Sequence, residues 1–145
     1  LERVPRLFAL LQDGAQRASE KSDFFKKLFT EKLVFKLCEA RDFLSTAQEE
    51  FDVIYFDPMF TEAKGSALPK KEMQILYRLL ESTTPKNVEQ NEKESIELLQ
   101  LARKKCRRVV VKRALLAPPI DGKPNQVFKG KSVRFDVYFL TNLLL

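Results

Sequence analysis

The sequence predicts an α/β fold built on a mostly parallel sheet. Three observations carry this expectation. Segments with helical periodicity alternate with short apolar runs, an order that lays helices over parallel strands. Two of those runs, Phe51–Phe56 and residues 107–113 with a Val109-Val110-Val111 centre, have the composition of strands. The chain then closes on Val127-Phe128 and residues 133–140 with Gly130 between them, a hairpin that adds antiparallel strands at the sheet edge.

The elements follow in order. Pro5 suits the first turn of a helix, and Leu7, Phe8, Leu11 and Ala15 share one face of it. Ser22 and Asp23 are placed to cap a second, short helix, whose Phe24, Phe25, Leu28 and Phe29 read as core. Residues 33–37 read as a strand running into Cys38, with residues 39–42 as its exit loop and residues 43–50 as a short helix or turn. The run Phe51–Phe56 is apolar enough to be buried on both faces. Residues 61–68 form a polar loop. Pro69 opens a helix in which Met73, Leu76, Tyr77 and Leu80 recur at helical spacing. A polar loop over residues 82–91 precedes a helix over 93–105 through Ile96, Leu99 and Ala102. Residues 117–125, with three prolines and a glycine, form a loop. No repeat or linker divides residues 1–145, so the chain reads as one domain.

Composition bounds the function. Lysine and arginine outnumber acids 26 to 20, a net charge of +6 that favours a polyanionic partner. Histidine is absent, which removes imidazole from acid–base catalysis and from metal binding, and no metal-ligand spacing appears. Cys38 and Cys106 stand far apart in apolar contexts, as buried thiols in a reducing, cytoplasmic compartment would. No run approaches the ~20 apolar residues that span a bilayer, and no leader pattern is visible. Gly14, Gly65, Gly122 and Gly130 are scattered, so no glycine-rich phosphate loop is seen. The chain opens Leu1-Glu2-Arg3 without a methionine and reads as a fragment or a processed piece.

The chemistry concentrates at Asp57-Pro58-Met59-Phe60. In open α/β sheets ligands bind where strands end, and these residues directly follow Phe51–Phe56. The Asp57 carboxylate and the Pro58 carbonyl are acceptors for a planar amine, and Phe60 is a ring to stack on its carrier. The competing reading is a plain Asp-Pro turn. Glu2 is a second acid placed to hold ribose hydroxyls, or else a solvated terminal carboxylate. Asp42, beside Arg41, falls on the same strand-end edge and suits an adenine amino group, or else caps a helix from Phe43 onward. Lys64, Lys70 and Lys71 follow the presumed site, and Lys112-Arg113 ends a strand on its edge, so all five are phosphate-contact candidates. Arg103, Lys104, Lys105, Arg107 and Arg108 more simply dress a helix end.

The longer context around Asp57 is more specific. Asp57-Pro58-Met59-Phe60 resembles the amine-methylating motif of class I methyltransferases that use S-adenosylmethionine. Adding Lys64, Ser66-Ala67-Leu68, Lys70-Lys71-Glu72-Met73, Arg108-Val109-Val110-Val111-Lys112-Arg113, Ala117-Pro118-Pro119 and Arg134-Phe135-Asp136-Val137-Tyr138, the chain resembles the small-subunit (16S) ribosomal RNA guanine-N2 methyltransferase J family. Leu1-Glu2-Arg3 resembles that family's second strand end. The resemblance implies a Rossmann-like methyltransferase sheet. It implies that Glu2 and Arg3 hold the cofactor ribose, that Arg41 and Asp42 lie by the adenine, that Asp57 contacts cofactor and substrate amine, and that Phe60 stacks on an extruded guanine. It also implies that a first strand and its glycine loop precede Leu1. This chain is then the C-terminal portion of one methyltransferase domain, unable to methylate alone. Ribosomal RNA or the small subunit is the expected partner. The rival readings are a methyltransferase for another amine (adenine N6 or a protein amide) and an RNA-binding module without catalysis.

Overall fold

The computed structural model describes residues 1–48, 50–58, 71, 74–75 and 88–140, with side chains from 92 onward in the last stretch. They fall into two compact units, Leu1–Phe43 with Pro69–Pro85 and Leu44–Leu68 with Lys86–Leu145.

The first unit opens on helix α1, Pro5–Lys21, with proline in its first turn as expected. Val4 is its N-cap residue; only 2% exposed, it contributes a backbone carbonyl to Phe8 but no side-chain cap. Helix α2, Asp23–Lys27, runs into a π-helical turn over Leu28–Lys32. Ser22 stands at the N-cap of α2 without a side-chain hydrogen bond, so the predicted cap holds by position only. The stripe is core only in part: Phe24 and Phe25 are exposed while Leu28 and Phe29 are half-buried, with Phe29 stacked on Phe25 and tilted against the half-buried Phe35.

Residues 33–37 do not form a strand. Residues 33–36 carry no regular structure, and among the described residues Leu37 makes a single parallel bridge, to Glu2. A strand needs a ladder of partners, and the bridge supplies only two bonds, Glu2 N–H to the Lys36 carbonyl (3.0 Å) and Cys38 N–H to the Glu2 carbonyl (2.9 Å). Helix α3, Ala40–Thr46, starts earlier than the predicted loop allowed. Arg41 and Asp42 are therefore in its first turn, and Asp42 is not the cap. The first helical bond runs from the Phe43 N–H to the Glu39 carbonyl at 3.1 Å.

The second unit holds a four-stranded sheet. Its strands are β1 (Phe51–Phe56), β2 (Cys106–Ala114), β3 (Gln126–Lys129) and β4 (Val133–Phe139), ordered β1-β2-β4-β3. Only β1 and β2 run parallel; β2–β4 and β4–β3 are antiparallel. The sheet is thus mixed rather than mostly parallel among the described residues, because the predicted hairpin contributes half of its strands. Helix α4, Val88–Lys105, begins before the predicted residue 93. Its polar opening lacks an apolar stripe to announce it.

One face of this sheet carries Ile54, Phe56, Val109, Val111, Arg113, Arg134, Asp136 and Tyr138, as the register dictates. Val109, Val111 and Asp136 on it are fully buried, as are Leu99 and Ala102 of α4. Arg103 of α4 lies over the Tyr138 ring, 5.8 Å from its centroid, so α4 covers this face. The expectation that β1 is buried on both faces fails: Val53 and Tyr55 are about half exposed (49% and 53%). As an edge strand among the described residues, β1 lacks a neighbour to shield it.

Cys38 is partly buried, Cys106 is buried, and both are free thiols. The Cys106 Sγ lies 3.3 Å from the Ala102 and Arg108 carbonyls, and burial pushes its pKa up.

Candidate active site

In the second unit the site begins with β1, which delivers Asp57 and Pro58 at its C-terminal end. Because β2 runs parallel, it ends on the same edge, and the register Tyr55–Val110 and Phe56–Val111 brings Lys112 level with Asp57. Both side chains continue the face of Tyr55 and Val110. The Lys112 ammonium donates to Asp57 Oδ2 at 2.9 Å. The hydrogen bond to Asp57, then its negative charge, holds the lysine pKa above its ordinary value. The predicted common edge for Asp57 and Lys112 is therefore present. The ion pair between them was not foreseen, since it depends on a register that composition does not reveal.

Arg113 points elsewhere. It lies across from Arg134 of β4, and its Nε and Nη2 both donate to the Pro118 carbonyl, at 3.0 and 2.6 Å. Burial first, and the neighbouring Arg134 charge second, lower its pKa. Arg134 forms a two-pronged pair with the fully buried Asp136, Nε to Oδ1 at 2.8 Å and Nη2 to Oδ2 at 3.0 Å, and Nη1 donates to the Leu115 carbonyl at 3.0 Å. The two arginines thus pin both ends of the segment that leaves β2, directly after Lys112. Sequence reasoning missed this anchor. Its signal was present: opposite charges two apart in an apolar strand fall on one face.

The first unit holds the remaining acids. Glu2 is partly buried, and its Oε1 accepts the Val4 N–H at 2.7 Å, just ahead of α1. The carboxylate is therefore fixed against a helix N-terminus rather than free in solvent. Arg3 lies 3.8 Å from Glu39. Arg41 and Asp42 are exposed on α3. Lys36 sits over the Phe43 ring, 4.7 Å from its centroid. Leu1, Glu2, Phe8, Leu11, Phe35 and Lys36 line a cavity of about 220 Å³. Lys71 is helical and exposed. Phe60, Lys64 and Lys70 lie outside the described residues. Among the described residues no acid or cysteine cluster is arranged to hold a metal ion, and no helix is long and apolar enough to cross a membrane.

The chemistry of these groups fits an adenosyl cofactor in part. A fixed, partly buried carboxylate such as Glu2 is the acceptor that a ribose diol requires, and Asp57 is an acceptor at a strand end, where class α/β ligands bind. A family model described as "Putative SAM-dependent methyltransferase" matches residues 1–140. Ribosomal RNA small subunit methyltransferase J of Coxiella burnetii (strain Dugway 5J108-111) is 45% identical over 97% of this chain and 51% of its own length. The protein of the same name from Thioalkalivibrio sulfidiphilus is 40% identical over 95% of this chain and 51% of its own. The crystal structure of a SAM-dependent methyltransferase from Neisseria gonorrhoeae superposes with a TM-score of 0.57 at 27% identity, over 97% of this chain and 51% of that one. The chain spans about half the length of the curated relatives it matches. With matches over nearly all of its residues, the chain belongs to the SAM-dependent methyltransferase family.

Proposed function

We propose that the intact protein methylates the exocyclic N2 of a guanine in small-subunit ribosomal RNA, in the cytoplasm. The observation that carries this reading is Asp57-Pro58 at the C-terminal end of β1, in a chain 45% identical to a protein named for small-subunit ribosomal RNA methylation. When bound, S-adenosylmethionine would supply the methyl group as a sulfonium electrophile.

The chain's own residues do the rest by orientation and electrostatics. The guanine amine is a poor nucleophile because its lone pair is delocalised into the ring. Asp57 and the Pro58 carbonyl accept its N–H bonds and favour a pyramidal nitrogen, whose lone pair then projects out of the ring plane. Phe60 stacks on the extruded base. Glu2, with Arg3 beside it, holds the ribose of the cofactor, and Arg41 and Asp42 flank its adenine. Lys64, Lys70 and Lys71 are further candidates for contact with the RNA backbone, which the net charge of +6 supports, whereas Arg113 is turned to the Pro118 carbonyl.

The same reading makes residues 1–145 the C-terminal portion of a single methyltransferase domain. Among the described residues β1 is an edge strand with Val53 and Tyr55 exposed, and that edge is the place for a further strand of the intact protein, since apolar edges are otherwise covered or blunted. That strand would bring the glycine loop of the cofactor site with it.

The test is methyl transfer by the full-length protein from labelled S-adenosylmethionine to purified small-subunit RNA and to assembled subunits, followed by nucleoside mass analysis. Label in N2-methylguanosine is expected. Label in N6-methyladenosine or in protein would move the substrate, and cofactor binding without any transfer would favour the non-catalytic RNA-binding reading.

A further inference from the structure

Lys112 entered as a phosphate-contact candidate, yet its ammonium is engaged within the protein. It grows from β2, whose pairing with β1 runs up to Val111 and whose pairing with β4 continues through Ala114, so its backbone is held by the sheet. Its cross-strand partner on β4 is Phe135, which offers no competing charge. On the other side the ammonium meets Asp57 Oδ2 at 2.9 Å. Lys112 is about one-third exposed and Asp57 about half, so a ligand still has access to the carboxylate.

A carboxylate on the loop side of a strand turns about two side-chain bonds. An acceptor that must meet an amine at a fixed angle gains from having that rotation stopped. A lysine rooted in a doubly paired strand does this by engaging one oxygen. We propose, resting on the methyltransferase reading of Asp57, that Lys112 is a positioning residue. It grips Asp57 by Oδ2 and so presents Oδ1 to the substrate amine.

The alternatives make different kinetic predictions. In the full-length protein, K112M is expected to lower kcat at least about 10-fold while KM for RNA changes less than about 3-fold, the pattern of a group that aligns the reacting complex rather than binds substrate. K112R restores most of kcat, because a guanidinium reaches the same oxygen. A phosphate contact gives the opposite result: kcat unchanged, KM raised, and the salt dependence of RNA binding reduced by about one unit of slope. That result overturns the proposal. A second measurement does not use catalysis. The Lys112 side-chain nitrogen, followed by NMR through alkaline pH, is expected to titrate at higher pH in the wild type than in D57N, as the direction of its shift requires. Equal titration overturns the ion pair. If the wild-type protein transfers no methyl group, the functional reading fails and the amine's place fails with it, while the titration separately decides whether Lys112 holds Asp57.

Discussion

Replacing Arg134 with methionine removes the partner of a carboxylate that has no access to water. Asp136 is fully buried, and both of its oxygens accept from Arg134, at 2.8 and 3.0 Å. The arginine side chain is itself only 12% exposed. Methionine keeps most of the stem but none of the donors. Stranding a buried charge in this way costs about 3–5 kcal/mol, and loss of the Nη1 bond to the Leu115 carbonyl adds about 1 kcal/mol. We expect R134M to lose about 4–6 kcal/mol in urea unfolding followed by circular dichroism. The double variant R134M/D136L removes the stranded charge as well. It is expected to recover at least about half of the loss, since apolar replacement of a whole buried pair is often near neutral. A loss under about 1 kcal/mol in R134M, or a double variant as unstable as the two single losses added together, would refute the reasoning.

Three further outcomes follow from the structure. Cys106 is buried with a raised pKa, so a thiol reagent at neutral pH is expected to label Cys38 first and Cys106 only on unfolding; equal rates in the native protein would contradict the packing. Gly122 has φ +58 with no atom close to where a Cβ would sit, so G122A is expected to cost about 1 kcal/mol through backbone strain alone, checked by the same urea midpoint. Leu99 is fully buried on α4 against the sheet, and L99A is expected to cost about 2–5 kcal/mol; a loss below about 1 kcal/mol would show that α4 does not cover that face.

Much of the sheet was legible in the sequence because its signals are local. Val109-Val110-Val111 and Phe51–Phe56 carry strand composition, and Gly130 between two apolar runs marks the hairpin. The shared edge of Asp57 and Lys112 followed from two strands that run parallel. The misses are of another kind. Residues 33–37 are mostly apolar, but a strand is made by its partners, and among the described residues they make one bridge. The first helical bond of α3 runs from the Phe43 N–H to the Glu39 carbonyl, a backbone bond that leaves no residue-type signature. Phe24 and Phe25 have helical spacing and large rings, yet spacing says only which side chains lie together, not what they face. The ion pair at Asp57 and the Arg134–Asp136 anchor require register across strands far apart in the chain. A sequence shows that register only as a charge on an unexpected face.

The account rests on Asp57 as the acceptor that orients a guanine amine, and one measurement meets that claim head on. Small-subunit RNA from a strain lacking this gene, complemented with the full-length wild type or with D57A, is digested and its nucleosides weighed by mass spectrometry. The prediction is that one N2-methylguanosine is missing in the deletion strain, restored by the wild type, and still missing with D57A although the variant unfolds at the wild-type urea midpoint. Restoration by D57A, or no lost methylguanosine in the deletion strain, would contradict it.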